Sequence, residues 1–151
     1  MTVGAGPTIT SEITWLLHRA AQHMHVVTGL QAEKHGLQLR DHIILSAIHK
    51  TPGLTQVELA KTVSLDKTTL MSQLDRLERN GLILRRPDPH DRRVRIPEMT
   101  AAGEDIRARV AADSRVAEQD ALRSFSGTDI ESFRRMLIGM IGDSADPGSC
   151  L

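Results

Sequence analysis

The chain has 151 residues, a formal net charge of zero and an aromatic content of only 2%. That length suits one domain with a real core, which Leu, Ile, Val, Ala and Met must fill, and the scarcity of rings argues against single-stranded nucleic acid, usually held by base stacking on aromatics. The only cysteine, Cys150, rules out an intrachain disulfide, a cysteine metal cluster and a two-cysteine redox switch.

In chain order, Met1 to Ile9 holds Gly4, Gly6 and Pro7 and reads as a loose arm. From Ser11 to about His35, apolar residues recur at three- and four-residue steps (Ile13, Leu16, Leu17, Ala20, Met24, Val27, Leu30), which predicts a long amphipathic helix. Arg40 to His49 repeats the pattern and stops at Thr51-Pro52-Gly53. Thr55 and Glu58 have capping-box spacing and open a helix that ends near Val63. Asp66 is an N-cap for the next helix, whose Leu70, Leu74 and Leu77 share one face. That helix runs to Asn80-Gly81, and at about fifteen residues it would be a rod of about 22 Å, suited to a major groove. Leu82 to Leu84 and Val94 to Ile96 are short strand candidates around a turn with two prolines, while Pro97, which cannot donate to a ladder, should end the second strand or sit on an edge. Thr100 caps another long helix, and a break at Ser124 to Gly127 precedes a last helix from Asp129 to Ile141. The polar tail 143–151 is expected to be disordered.

Helix, tight turn, helix and basic hairpin form the order of a winged helix-turn-helix. The predicted fold class is mainly α, with a small β wing and long flanking helices. Charge is unevenly spread: Arg76 to Arg95 holds seven arginines against three acidic residues, and Glu98 to the end holds ten acidic residues against six arginines. One face would turn toward phosphate and another away from it. The candidate DNA-contacting residues are Lys67, Thr68, Thr69, Ser72, Gln73 and Arg76 on the second helix, with Arg86, Arg92, Arg93 and Arg95 on the hairpin. Phosphate contacts should outnumber base contacts among them.

The segment from Gly36 to Gly103 resembles the multiple-antibiotic-resistance regulator (MarR) family. The matching motifs are Leu54 to Ala60, Leu65 to Thr69, Leu74 to Ile83, the wing Arg85-Arg86-Pro87-Asp88-Pro89-His90-Asp91-Arg92-Arg93, and Met99 to Gly103. The wing is the most specific of these. The resemblance implies a homodimeric transcriptional regulator that binds a pseudo-palindromic operator in double-stranded DNA, with repression the expected sign and a small aromatic or anionic effector as modulator. It also implies that Arg93 reaches the minor groove while Asp91 holds the wing. The peroxide-sensing branch places a cysteine in the first helix, and this chain has none there. Residues 36–103 would then be the DNA-binding lobe, with 1–35 and 104–142 as the helical dimerisation region.

Trp15, His18 and His42 are the candidate effector-binding residues, an apolar wall with polar handles on helices bordering the lobe. The seven histidines invite a metal site. However, His23 and His25 are two apart and point in different directions on a helix. His18 and His25 share a face but lie about 10.5 Å apart along it. Zinc needs about four ligands, and the last long helix has no histidine cluster to complete the set. No metal and no cofactor are therefore expected. No Gly-rich phosphate loop, nucleophile elbow or metal-hydrolase motif is present, so the chain does not read as an enzyme. A winged-helix adaptor and a metal-responsive regulator are the alternatives. Without a leader pattern, or an apolar run near the 20 or so residues of a membrane span, the protein is expected in the cytoplasm with no membrane partner.

Overall fold

Capping and apolar periodicity set the helix boundaries. The computed structural model describes residues 12–142. Its elements are α1 (Ile13–Glu33), α2 (Leu39–Lys50), α3 (Gln56–Thr62), α4 (Lys67–Arg79), β1 (Ile83–Pro87), β2 (Arg95–Met99), α5 (Ala101–Ala121) and α6 (Gly127–Ile141). The arm Met1 to Ile9, the tail 143–151 and Cys150 lie outside the described residues. This order is that of a winged helix-turn-helix between long helices.

The predicted caps form. Thr55 and Glu58 exchange bonds between side chain and backbone at the start of α3, and the Asp66 carboxylate accepts from the Thr69 amide at the start of α4. A further capping box, Gln38 with Asp41, starts α2. Between α3 and α4 the Leu65 amide donates to the Ala60 carbonyl and the Ser64 amide to that of Lys61. This double closure of a helix end needs a left-handed residue, usually glycine. Here Ser64 takes that conformation, at φ 54°.

The core lies in the lobe. Ile44, Leu45 and Ile48 of α2, Leu59 of α3, and Leu70, Leu74 and Leu77 of α4 are buried with Leu82 and Ile83. The long helices add little: Ala32 is the only buried residue of α1, Gly103 and Val110 are those of α5, and α6 has none. Its Phe133, Met136, Ile138, Met140 and Ile141 are exposed.

The strands differ from expectation. β1 and β2 pair antiparallel from Ile83 with Met99 to Pro87 with Arg95, longer than the predicted three-residue runs, and of the two placements expected for Pro97 it takes the second, in mid-strand opposite Arg85 with its nitrogen on the edge side. The tolerance has a simple cause. The Arg85 amide points away from β2 and donates to the Glu78 carboxylate at 3.0 Å. Arg85 and Pro97 therefore occupy a non-hydrogen-bonded pair, where no donor is required of either. Pro97 is buried there.

Candidate nucleic-acid interface

Helix α4 is held on the core by its leucines, which leaves Lys67, Thr68 and Ser72 exposed and Thr69, Gln73 and Arg76 half-buried. Its thirteen residues span about 20 Å. The Thr69 hydroxyl donates to Asp66 at 2.6 Å. That bond and the one from the Thr69 amide hold the Asp66 carboxyl below the usual carboxylate range, so the helix start carries a fixed negative charge.

The wing tip is shaped by two aspartates. The Asp88 carboxylate accepts from the His90 amide at 2.8 Å and the Asp91 carboxylate from the Arg93 amide at 3.0 Å. The Asp88 amide and Val94 carbonyl close the loop at 2.9 Å, and the Val94 amide donates back to the Asp91 carbonyl. Aspartates favour such turns because they bind backbone amides two residues on. Arg92, Arg93 and Arg95 are exposed. Among the described residues, none of the three has a carboxylate within ion-pair distance.

Other arginines of the basic stretch are already engaged. Arg86 pairs with Glu98 across the hairpin at 2.5 Å. Arg85 bridges Asp75 at 2.6 Å and Glu78 at 3.2 Å, fastening β1 to α4. Those contacts hold the Glu78 carboxyl below its ordinary range and raise the Arg85 guanidinium above its own, the side-chain hydrogen bond between the two being the main cause in each case. Arg76 donates through Nη2 to Asp41 of α2, to Gln73 and, at 3.3 Å, to Gln38. Asp41 is 3% exposed. Stripping a buried carboxylate of its partner costs about 3–5 kcal/mol, whereas a good base contact is worth about 1–3 kcal/mol. Arg76, one of the candidate DNA-contacting residues, is therefore anchored to Asp41 through Nη2 while its side chain stays partly exposed. The Gln38-x-x-Asp41 spacing signals the cap of α2, but nothing local signals a partner thirty-five positions away.

The effector candidates are not gathered within one protomer. Trp15 and His18 sit together early in α1, ring centroids 6.3 Å apart, with the Arg19 guanidinium 5.8 Å from the Trp15 ring. The close approach of α1 to α2 is at Gly29, 3.8 Å from the Leu39 Cβ for an added Cβ, about 21 Å along the axis from Trp15. His42, in the first turns of α2, is half-buried, and its Nδ1 has no hydrogen-bond partner among the described residues. Burial, then the charges of Arg107 and Lys50, push its imidazole below the ordinary histidine value. Arg107 is itself tied to Glu104 at 2.6 Å. Among the described residues no group of three or more His, Cys, Asp or Glu side chains is placed to hold a metal ion. Nor is any helix there long and apolar enough to cross a membrane.

Residues 35–94 match the model of the MarR family. The transcriptional regulator HosA of Escherichia coli O111:H- is 32% identical over 111 residues, which cover 74% of this chain and 82% of HosA. The chain belongs to the MarR family. Solved structures agree on the fold. A MarR-family transcriptional regulator from Rhodococcus sp. RHA1 superposes with a TM-score of 0.85 at 23% identity, over 92% of this chain and 99% of that one. CouR from Rhodococcus jostii RHA1, bound to p-coumaroyl-CoA, gives 0.82 at 24% identity, over 92% and 98% of the two chains. This MarR-family chain is thus a DNA-binding transcriptional regulator with a winged helix-turn-helix, not an enzyme.

Proposed function

We propose that this MarR-family regulator acts as a homodimeric repressor. It would grip a pseudo-palindromic operator with α4 in the major groove and the wing on the backbone or minor groove. The observation that carries this reading is the wing tip, where Asp88 and Asp91 hold the turn and Arg92, Arg93 and Arg95 project without ion-pair partners among the described residues. Exposed cations on a braced hairpin beside a polar helix face suit duplex phosphate. Dimerisation is supported by α6, which has no buried residue and exposes a row of large apolar side chains. In this reading 36–103 is the DNA lobe and the helices of 1–35 and 104–142 join the protomers, in the cytoplasm where the operator lies.

Two measurements test it. Sedimentation at micromolar concentration should give twice the 16.6 kDa of one chain, and Met136→Glu on the exposed face of α6 should shift it toward the monomer. Titration of a selected palindromic duplex against a scrambled one, at two salt concentrations, should show specific and salt-dependent binding. Equal affinity for both duplexes refutes operator recognition, and a monomer that binds specifically refutes the dimer.

The effector is proposed to be a small aromatic or anionic molecule bound beside His42. CouR, of the same fold, was crystallised with p-coumaroyl-CoA. His42 offers a buried, unsatisfied ring nitrogen near the cationic Arg107. A ligand moves operator affinity only as far as it prefers one conformation, about 1–3 kcal/mol for typical coupling. A melting screen against small aromatic acids should find a stabiliser whose effect is lost in His42→Ala. The same loss in Trp15→Ala or His18→Ala would bring the end of α1 into the site.

A further inference from the structure

Thr69, Gln73 and Arg76 are spaced four and three residues apart, so they share one face of α4. Ser72, Gln73, Asp75, Arg76 and Arg79 line one polar depression on that helix. Within it, the Gln73 side chain is oriented by the protein itself. Arg76 Nη2 donates to Gln73 Oε1. Arginine has only donors, so only the oxygen of the amide can face it. Arg76 is in turn held by the buried Asp41, whose other carboxylate oxygen caps α2 by accepting from the Gln38 amide at 2.9 Å. Asp41 thus orients Arg76, and Arg76 orients Gln73.

An unconstrained glutamine reads adenine with both ends, its oxygen accepting from N6 and its nitrogen donating to N7. Here Arg76 takes one of the two lone pairs of the oxygen and draws it toward the Asp41 side, so the NH2 group is the end of Gln73 left without a partner to direct outward. We infer that Gln73 reads bases chiefly through its NH2 donor, set in that orientation by Arg76 and Asp41, and that it prefers guanine or thymine to adenine. Guanine offers N7 and O6 as acceptors and thymine offers O4, whereas adenine places a donor, N6, beside its single acceptor. Arg76 and Asp41 are positioning residues in this scheme, and specificity is determined by Gln73. The inference rests on the proposed operator reading and names the base class recognised within it.

The test is selection of duplexes from a randomised library, followed by competition at the one position whose preference disappears in Gln73→Ala. The wild-type protein should carry guanine or thymine there and disfavour adenine about tenfold, the discrimination of a modest base contact. Arg76→Met frees the oxygen and should bring adenine to parity or above. The readout is relative preference at a single position, which loss of a phosphate contact would not alter. Because Arg76→Met leaves Asp41 without its partner, Asp41→Asn/Arg76→Met serves as the second variant: asparagine retains an acceptor for the α2 cap and carries no charge. Gln73→Glu keeps the bond to Arg76 but presents an acceptor outward, and should move the preference to cytosine, whose N4 donates. Adenine at that position in the wild type, or an unchanged preference in both Arg76 variants, overturns the inference while leaving operator binding intact. Specific binding in which Gln73→Ala alters no position does the same. Absence of any sequence-specific binding overturns this inference and the proposed function together.

Discussion

At Gly103 helix α5 packs tightly against Leu82 and Met99, and replacing it by alanine is the sharpest test of how the wing is anchored. A Cβ at that position would lie 2.0 Å from the Leu82 carbonyl oxygen, 2.9 Å from Met99 Cγ and 3.0 Å from the Leu82 carbonyl carbon. Met99 can turn aside, but the carbonyl is backbone and cannot. Restoring contact distance requires the start of α5 to retreat by about 1 Å, enough to put a hydrogen bond out of range. Two bonds span this junction: the Thr100 amide donates to the Leu82 carbonyl at 3.0 Å, and the Thr100 hydroxyl to the Gly81 carbonyl at 2.7 Å. Losing both costs about 1–3 kcal/mol, and overpacking adds about 1–3 kcal/mol. The better helix propensity of alanine returns about 1 kcal/mol. The net expectation is a loss of about 3 kcal/mol, or a Tm lower by about 6–12 °C for a domain of this size. Thermal melts of Gly103→Ala and wild type at equal protein concentration measure it. Gly127, where a Cβ meets nothing within 4 Å, is the control, and Gly127→Ala should be neutral or slightly stabilising. A Gly103→Ala protein melting within 2 °C or so of wild type would show that the junction yields, contrary to the overpacking expected of a close-packed interior.

Ser64 holds a left-handed conformation that costs about 1–2 kcal/mol in a residue with a Cβ, so Ser64→Gly should raise stability by up to about 1 kcal/mol and leave duplex affinity unchanged, as melting and titration would show. Arg93→Ala should weaken binding to all duplexes alike and reduce the slope of log affinity against log salt by about one, if, as proposed, this exposed wing arginine meets phosphate and minor groove. His42 has a folded-state pKa below the ordinary 6.5, so its unfolded form binds the proton more readily. Its contribution to stability is complete above pH 6.5 and declines as pH falls from there toward the folded value. Urea melts between pH 7.5 and pH 5 should show that decline in the wild type and a flatter profile in His42→Gln, in a pH window chosen around the ordinary histidine range.

The element order, the caps at Thr55, Asp66 and Thr100, the leucine face of α4 and the family itself were legible in the sequence. These depend on residues within a turn or two of one another, and short-range periodicity and capping chemistry carry them. The wing was legible as a basic turn, but its strand lengths were not. Pro97 reads locally as either a strand end or an edge-side residue, and only the register opposite Arg85 shows that it is the second. Tertiary structure also decided which arginines are free. Composition shows seven between Arg76 and Arg95, and Arg76, Arg85 and Arg86 are ion-paired with Asp41, Asp75, Glu78 and Glu98. The partners come from other elements, across separations of seven to thirty-five residues for Glu78, Asp75, Glu98 and Asp41. Sequence shows how much charge a segment carries. Whether that charge faces solvent or a buried carboxylate depends on which helices pack together, and that follows from burial of apolar faces whose partners are distant in the chain.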